Sequence, residues 1–151
     1  MNLLPFSRIK EEKLKLDFDT QVFGAVKTLQ DVLPNLKRSK NASVVFFSTV
    51  AVQTGFNFHS QVAICKGAIE GLTKSLAAEF APKIRVNAIA PSLTQTSLTE
   101  KLLNTPEKIE ANANRHPLKK IGKPENIADL AAFLLSDKSE WITGQIIHID
   151  G

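Results

Sequence analysis

The chain has 151 residues, a formal charge of +4, 43% apolar residues and nine phenylalanines. That is one domain's length with enough apolar side chain to bury a core, so an intrinsically disordered chain is excluded. No run of about 18 apolar residues is present to cross a membrane as a helix. The single cysteine, Cys65, permits no internal disulfide and gives no metal-ligand spacing, so no metal site is expected.

The stretch from Met1 to Glu12 mixes Arg8, Lys10, Glu11 and Glu12, and no apolar signal-peptide centre follows. A cytoplasmic protein is expected. Cys65 reads as a structural, half-buried thiol. Lys101, Lys108, Arg115, Lys119, Lys120 and Lys123 cluster, with Glu107 and Glu110 among them. No aromatic platform is interleaved with them, so they read as a solvated face and not as a nucleic-acid footprint.

In chain order, a first helix is expected from about Glu11 to Lys37, where Leu14, Phe18, Val22, Val26, Leu29, Leu33 and Leu36 recur at helical spacing. Pro34 near its end should leave the last turn bent or irregular. Ser43 to Ser48 (SVVFFS) is a short β-branched and aromatic run that suits a strand buried on both faces. A loop holding Gly55 and Asn57 leads into a second long helix, from about His59 to Phe80, ended by Ala81-Pro82. Ile84 to Ile89 is the next strand, closed by Pro91. A looser stretch from Thr94 to Gly122 holds a helix near Glu107 to Asn114. Pro124 can open a further helix carrying Ile127, Leu130, Leu134 and Leu135. Gln145 to Ile149 is the last strand. Strands alternating with helices predict an α/β fold, with a three-stranded parallel sheet and helices on both faces. There is no internal repeat or low-complexity linker, so residues 1–151 read as one domain.

The segments KGAIEGLTKSLAAEFAPKIRVNAIAPS (66–92), HPLKKIGKPENIADLAAFLLSD (116–137) and WITGQIIHIDG (141–151) resemble the second half of short-chain dehydrogenases/reductases, in that family's order and spacing. Gly24 to Thr49 fits the same pattern. The resemblance implies the C-terminal half of a partial Rossmann-like fold whose three strands lie side by side. It also implies an alcohol or carbonyl oxidoreductase that uses NAD or NADP on a small-molecule substrate.

The family's chemistry rests on a tyrosine that exchanges a proton with the substrate oxygen. A lysine one helical turn later lowers the tyrosine's pKa and holds the cofactor ribose. A serine 13 residues before the tyrosine binds the substrate oxygen, and an asparagine on the preceding helix supports a relay water. On this pattern Lys66 is the lysine, Thr49 takes the serine position and Gln21 the asparagine position. The tyrosine position holds Val62, and the chain contains no tyrosine. Valine has no ionisable group to offer. His59, three residues before Val62, is the candidate substitute, an imidazole being able to exchange protons near neutral pH.

For the cofactor, the resemblance assigns Lys66, Pro91, Thr94 and Thr96 to the nicotinamide side. The family's glycine-rich phosphate loop has no counterpart among the seven scattered glycines. The chain is therefore expected to be inactive alone. The alternative is a non-catalytic oligomerising module, or a subunit complementing a separate N-terminal half. The two long helices resemble the family's dimer interface, and the Val44–Phe47 strand should form an apolar sheet edge. A homo-oligomer, or pairing with that missing half, is expected.

Overall fold

The structure, a computed structural model, describes residues 3–151. Met1 and Asn2, where the N-terminal stretch begins, lie outside the described residues. After a 3-10 turn at Phe6–Arg8 comes one continuous helical run in three parts. Helix α1 spans Glu11–Phe18, a π-helical segment spans Asp19–Phe23, and helix α2 spans Gly24–Arg38. Glu11 and Glu12 occupy the first turn of this run and Lys37 and Arg38 the last, both favourable to the helix dipole. The expected irregular end is absent. Pro34 lies inside α2, which stays α-helical to Arg38, so the missing Pro34 donor is absorbed without ending the helix.

Strand β1 (Ala42–Phe47), the short helix α3 (Ala51–Thr54) and helix α4 (Ser60–Phe80) follow. Strand β2 (Ile84–Pro91) leads through a 3-10 segment (Ser97–Leu102) to helix α5 (Pro106–Ala113). Helix α6 (Pro124–Leu135) and strand β3 (Ile146–Ile149) complete the order. The three strands form one parallel sheet in the order β1-β2-β3, as expected. Pairing of Ala42 with Ile84 and of Ala88 with Ile146 sets the register.

Alternation along the strands assigns the helices to faces. Ala42 and Val44 on β1 and Ile84 and Val86 on β2 pack with Ala77, Leu76 and Phe80 of α4 and with Leu33 and Leu36 of α2. The intervening residues serve the other face, where Ser43 Oγ donates to the Leu134 carbonyl of α6 at 2.8 Å. Arg85 caps the end of α6. Its guanidinium donates to the carbonyls of Leu134 (2.8 Å) and Ser136 (3.0 Å) and to Ser139. A fixed positive charge thus meets the negative end of the helix, and otherwise orphaned carbonyls are satisfied.

Gly144 turns the chain into β3 with φ +72°, and a Cβ there would meet Ala77 Cβ at 3.3 Å, so both backbone and space favour glycine. One expectation needs correction. Strand β1 is not buried on both faces: Val44 to Phe46 are half-buried and Phe47 is 48% exposed. Among the described residues β1 has β2 as its single neighbour, so its outer flank is open.

Leu134 is fully buried on the α6 face, whereas its neighbour Leu135 is exposed. Leu134→Ala should therefore cost about 2–5 kcal/mol through lost burial and the cavity left behind. Leu135→Ala should stay within about 0.5 kcal/mol. Urea unfolding of the two variants checks this, and equal midpoints would contradict the placement of α6.

Candidate active-site cleft

Parallel strands carry their loops to one end of the sheet, and the cleft lies there, beyond the carboxyl ends of β1, β2 and β3. Hydrogen bonds continue past the strands and fix the three exits relative to one another. Ser48 N–H donates to Ile89 C=O (2.7 Å), Val50 N–H to Pro91 C=O (3.2 Å), and Ser92 N–H to Ile149 C=O (3.1 Å). The cleft they floor has a volume of about 1080 Å³, ample for a small organic ligand.

Every candidate catalytic and cofactor-side residue reaches this cleft. Gln21, Thr49, His59, Val62, Lys66 and Pro91 line it, together with Thr94 and Thr96. Lys66 stands on α4 one turn after Val62, and its ammonium donates to the Phe47 carbonyl at the end of β1 (2.9 Å). Desolvation by burial pushes the Lys66 pKa down, with a smaller opposing effect from the Cys65 thiol. Thr49 Oγ1 accepts from the Ala51 amide at the start of α3 (3.3 Å), which directs the loop across the cleft.

Gln21 sits in the π-helical segment. Its neighbour Thr20 turns its hydroxyl back to the Leu16 carbonyl (2.8 Å), and Phe18 meets Phe23 edge-on at 5.7 Å. Segments of this kind often mark functional sites. His59 is the residue that precedes α4, as expected, but its side chain does not cap the helix. Instead Nδ1 donates to the Asn57 carbonyl (2.8 Å), and the ring packs edge-on against Phe56.

Cys65 is fully buried, deeper than the half-buried position expected. Burial, then the nearby Asp17 carboxylate, pushes its thiol pKa up, away from a reactive thiolate. The basic cluster is solvated: Lys101, Lys108, Arg115, Lys119, Lys120 and Lys123 are all exposed.

Sequence reasoning missed three polar pairings. The buried Glu70 carboxylate accepts from Ser48 Oγ (2.6 Å) and Gln53 Nε2 (2.8 Å), tying α4 to the loop that carries Thr49. Asp17 Oδ2 accepts from Gln61 Nε2 (2.6 Å), joining α1 to α4. Ser92 donates to His116 Nε2 (2.9 Å) across 24 residues of sequence. Gly122 closes against this loop, where a Cβ would lie 3.1 Å from Thr94 Oγ1. The one signal within reach was Lys66 and Glu70 standing one helical turn apart.

Comparison with known proteins shows the family. A family model described as "Enoyl-(Acyl carrier protein) reductase" matches residues 2–151. The chain is 40% identical over 146 residues to a 3-oxoacyl-(acyl-carrier-protein) reductase of Thermotoga maritima, covering 95% of this chain and 58% of that protein. It is 34% identical over 151 residues to the L-xylulose reductase of Bos taurus, covering 99% of this chain and 62% of that protein.

Among solved structures, a short-chain type dehydrogenase/reductase from Mycobacterium ulcerans superposes with a TM-score of 0.92 at 29% identity, covering all of this chain and 55% of that one. A 4-hydroxyisoleucine dehydrogenase complexed with NADH superposes with a TM-score of 0.91 at 26% identity, covering 99% of this chain and 63% of that one. The chain belongs to the short-chain dehydrogenase/reductase family, a family of oxidoreductases. It spans little more than half the length of these relatives. Among the described residues no helix is long and apolar enough to cross a membrane.

The depressed pKa of Lys66 has a direct chemical readout. A lowered pKa means that the neutral, nucleophilic amine appears at lower pH than on an exposed lysine. A small amine-reactive reagent, titrated against pH and mapped by peptide mass spectrometry, should modify Lys66 with a midpoint below the ordinary lysine range. A midpoint within that range would contradict the desolvated site.

Proposed function

We propose that this chain supplies the nicotinamide-side half of an NAD(P)-dependent alcohol or carbonyl oxidoreductase and turns over no substrate when isolated. The observation carrying this reading is the pairing in the cleft of Lys66, held on the Phe47 carbonyl, with Val62 one turn before it. The lysine can still hold a ribose hydroxyl and present positive charge. Val62 has no proton to exchange with a substrate oxygen.

The residues present fit one end of the cofactor. Lys66, Pro91, Thr94 and Thr96 share the cleft, and bound NAD(P) would accept or donate the hydride there. They do not fit the pyrophosphate, because no glycine-rich turn stands before a helix among the described residues. Each charge-assisted hydrogen bond lost costs about 1.5–3 kcal/mol. Losing several weakens a micromolar site past roughly the millimolar range.

NADH titrated into the isolated chain should therefore give no saturation up to about 1 mM. A version completed with a glycine-rich first half should bind while turning over slowly. In that completed form, Val62→Tyr should raise turnover about 10²–10⁴-fold, the usual worth of a positioned acid–base group. Tight binding by the isolated chain would sink the half-site reading. Rapid turnover without the tyrosine would transfer its role to His59, Thr49 or a water.

The second reading, a non-catalytic oligomerising module or complementing subunit, is supported by exposed apolar side chains on the long helical elements. Leu16 and Phe23 on the first helical run and Ile64 on α4 are between 45% and 60% exposed, and Phe47 lies exposed at the sheet edge. Such surface favours association. Sedimentation at about 10–50 µM should show dimers or larger species, in the range where interfaces of ordinary size are populated. A stable monomer would contradict association, whichever surface were used.

A further inference from the structure

We propose that Ser92 and His116 form a nucleophile–base pair that hydrolyses small carboxylic esters in the cleft, independently of any dinucleotide. The pair goes beyond the oxidoreductase reading, and neither Ser92 nor His116 has a role in it. Ser92 Oγ lies 2.9 Å from His116 Nε2, and the imidazole's other nitrogen, Nδ1, lies 3.0 Å from the Asn112 carbonyl. A carbonyl oxygen can only accept, so Nδ1 carries the proton of the neutral ring. Nε2 therefore presents its lone pair to the Ser92 hydroxyl. A hydroxyl, a base and a third group that fixes the base's tautomer are the parts of an activated serine.

Both partners are held from behind. Ser92 donates its amide to Ile149 C=O, and its own carbonyl accepts from Thr94 Oγ1 (3.1 Å). The His116 amide donates to Ala113 C=O at the end of α5 (3.0 Å). Both side chains belong to residues lining the cleft, beside Phe56, Leu98 and Leu102, whose apolar surfaces suit the organic parts of an ester. The residues that follow Ser92, Leu93 and Thr94, line the same cleft, and their amides donate to no acceptor among the described residues. Backbone amides next to a nucleophile are the usual donors to an oxyanion. A serine and histidine that merely tied two loops together would need neither cleft exposure nor unspent amides.

The chemistry balances with water as the only co-reactant. Ser92 Oγ attacks the ester carbonyl carbon while its proton passes to His116 Nε2, with negative charge collecting on the carbonyl oxygen near the Leu93 and Thr94 amides. The bond to the alcohol oxygen breaks, and the alcohol departs with the proton from His116, leaving the acyl group on Ser92. Water then attacks the acyl carbon, giving its proton to His116. The carboxylic acid leaves, and Ser92 Oγ recovers its proton.

The test uses the 151-residue chain with two probes, 4-nitrophenyl acetate and a fluorophosphonate that labels activated serines. Hydrolysis should be saturable, and peptide mapping should place the phosphonate on Ser92. Ser92→Ala and His116→Gln should each lower hydrolysis about 100-fold, at the lower end for loss of a positioned base. Phosphonate on other residues only, or on none, overturns the proposal. So does hydrolysis by a folded Ser92→Ala variant at the parent rate. Should a variant fail to fold by circular dichroism, the labelling map of the parent chain decides alone. Neither readout involves NADH, so failure here is separate from failure of the oxidoreductase reading.

Discussion

The central strand is the constraint on which the site depends. β2 is paired on both flanks, and Val86 through Ala90 are fully buried. A one-residue slip on either side would send each inward side chain to the wrong face, so the register is strongly fixed. Because the hydrogen-bonded register runs on past the strands, it also fixes the exits. Ser48, Val50 and Ser92 are each placed by a backbone bond to a neighbouring strand's end. Thr49, Pro91 and Asp150 then meet in one cleft by the arithmetic of pairing, although they are far apart in sequence.

On this frame stand the residues that the family resemblance picks out. Lys66 carries an amine whose pKa burial pushes down, whereas Val62 fills the neighbouring turn with hydrocarbon. Burying part of an ammonium carries a cost, and the Phe47 carbonyl satisfies one of its donors. Thr49 retains a hydroxyl at the next position, engaged by the Ala51 amide. The cleft thus gathers these hydrogen-bonding groups around a turn where the Val62 side chain has no proton to exchange.

How much of this was legible in the sequence follows from the range of each signal. The long helices and the strands are written in local periodicity, and the order of the strands follows from the family resemblance, whose motifs sit within single elements. Pro124 opening α6 and Ala81-Pro82 closing α4 are local in the same way. The candidate residues at Gln21, Thr49, His59 and Lys66 were found because the family's spacing lies along one chain segment. The four-residue α3 escaped because one turn carries no periodicity. The π-helical segment escaped because its composition matches the flanking helix. Ser48–Glu70, Asp17–Gln61 and Ser92–His116 join residues 22, 44 and 24 apart, and such bonds exist only once the packing is set.

The grip of α4 on the end of β1 has a mechanical consequence. Lys66 and Glu70 stand one turn apart and hold the consecutive residues Phe47 and Ser48, one through a backbone carbonyl and the other through a side-chain hydroxyl. Two anchor points spaced along the helix resist rotation as well as sliding, so helix and strand end behave as a single lever. Gln53, bound to the second Glu70 oxygen, couples α3 to the same lever. A push on the outer surface of α4, where Ile64 is exposed, is therefore delivered to the backbone beside Thr49 without passing through the sheet core.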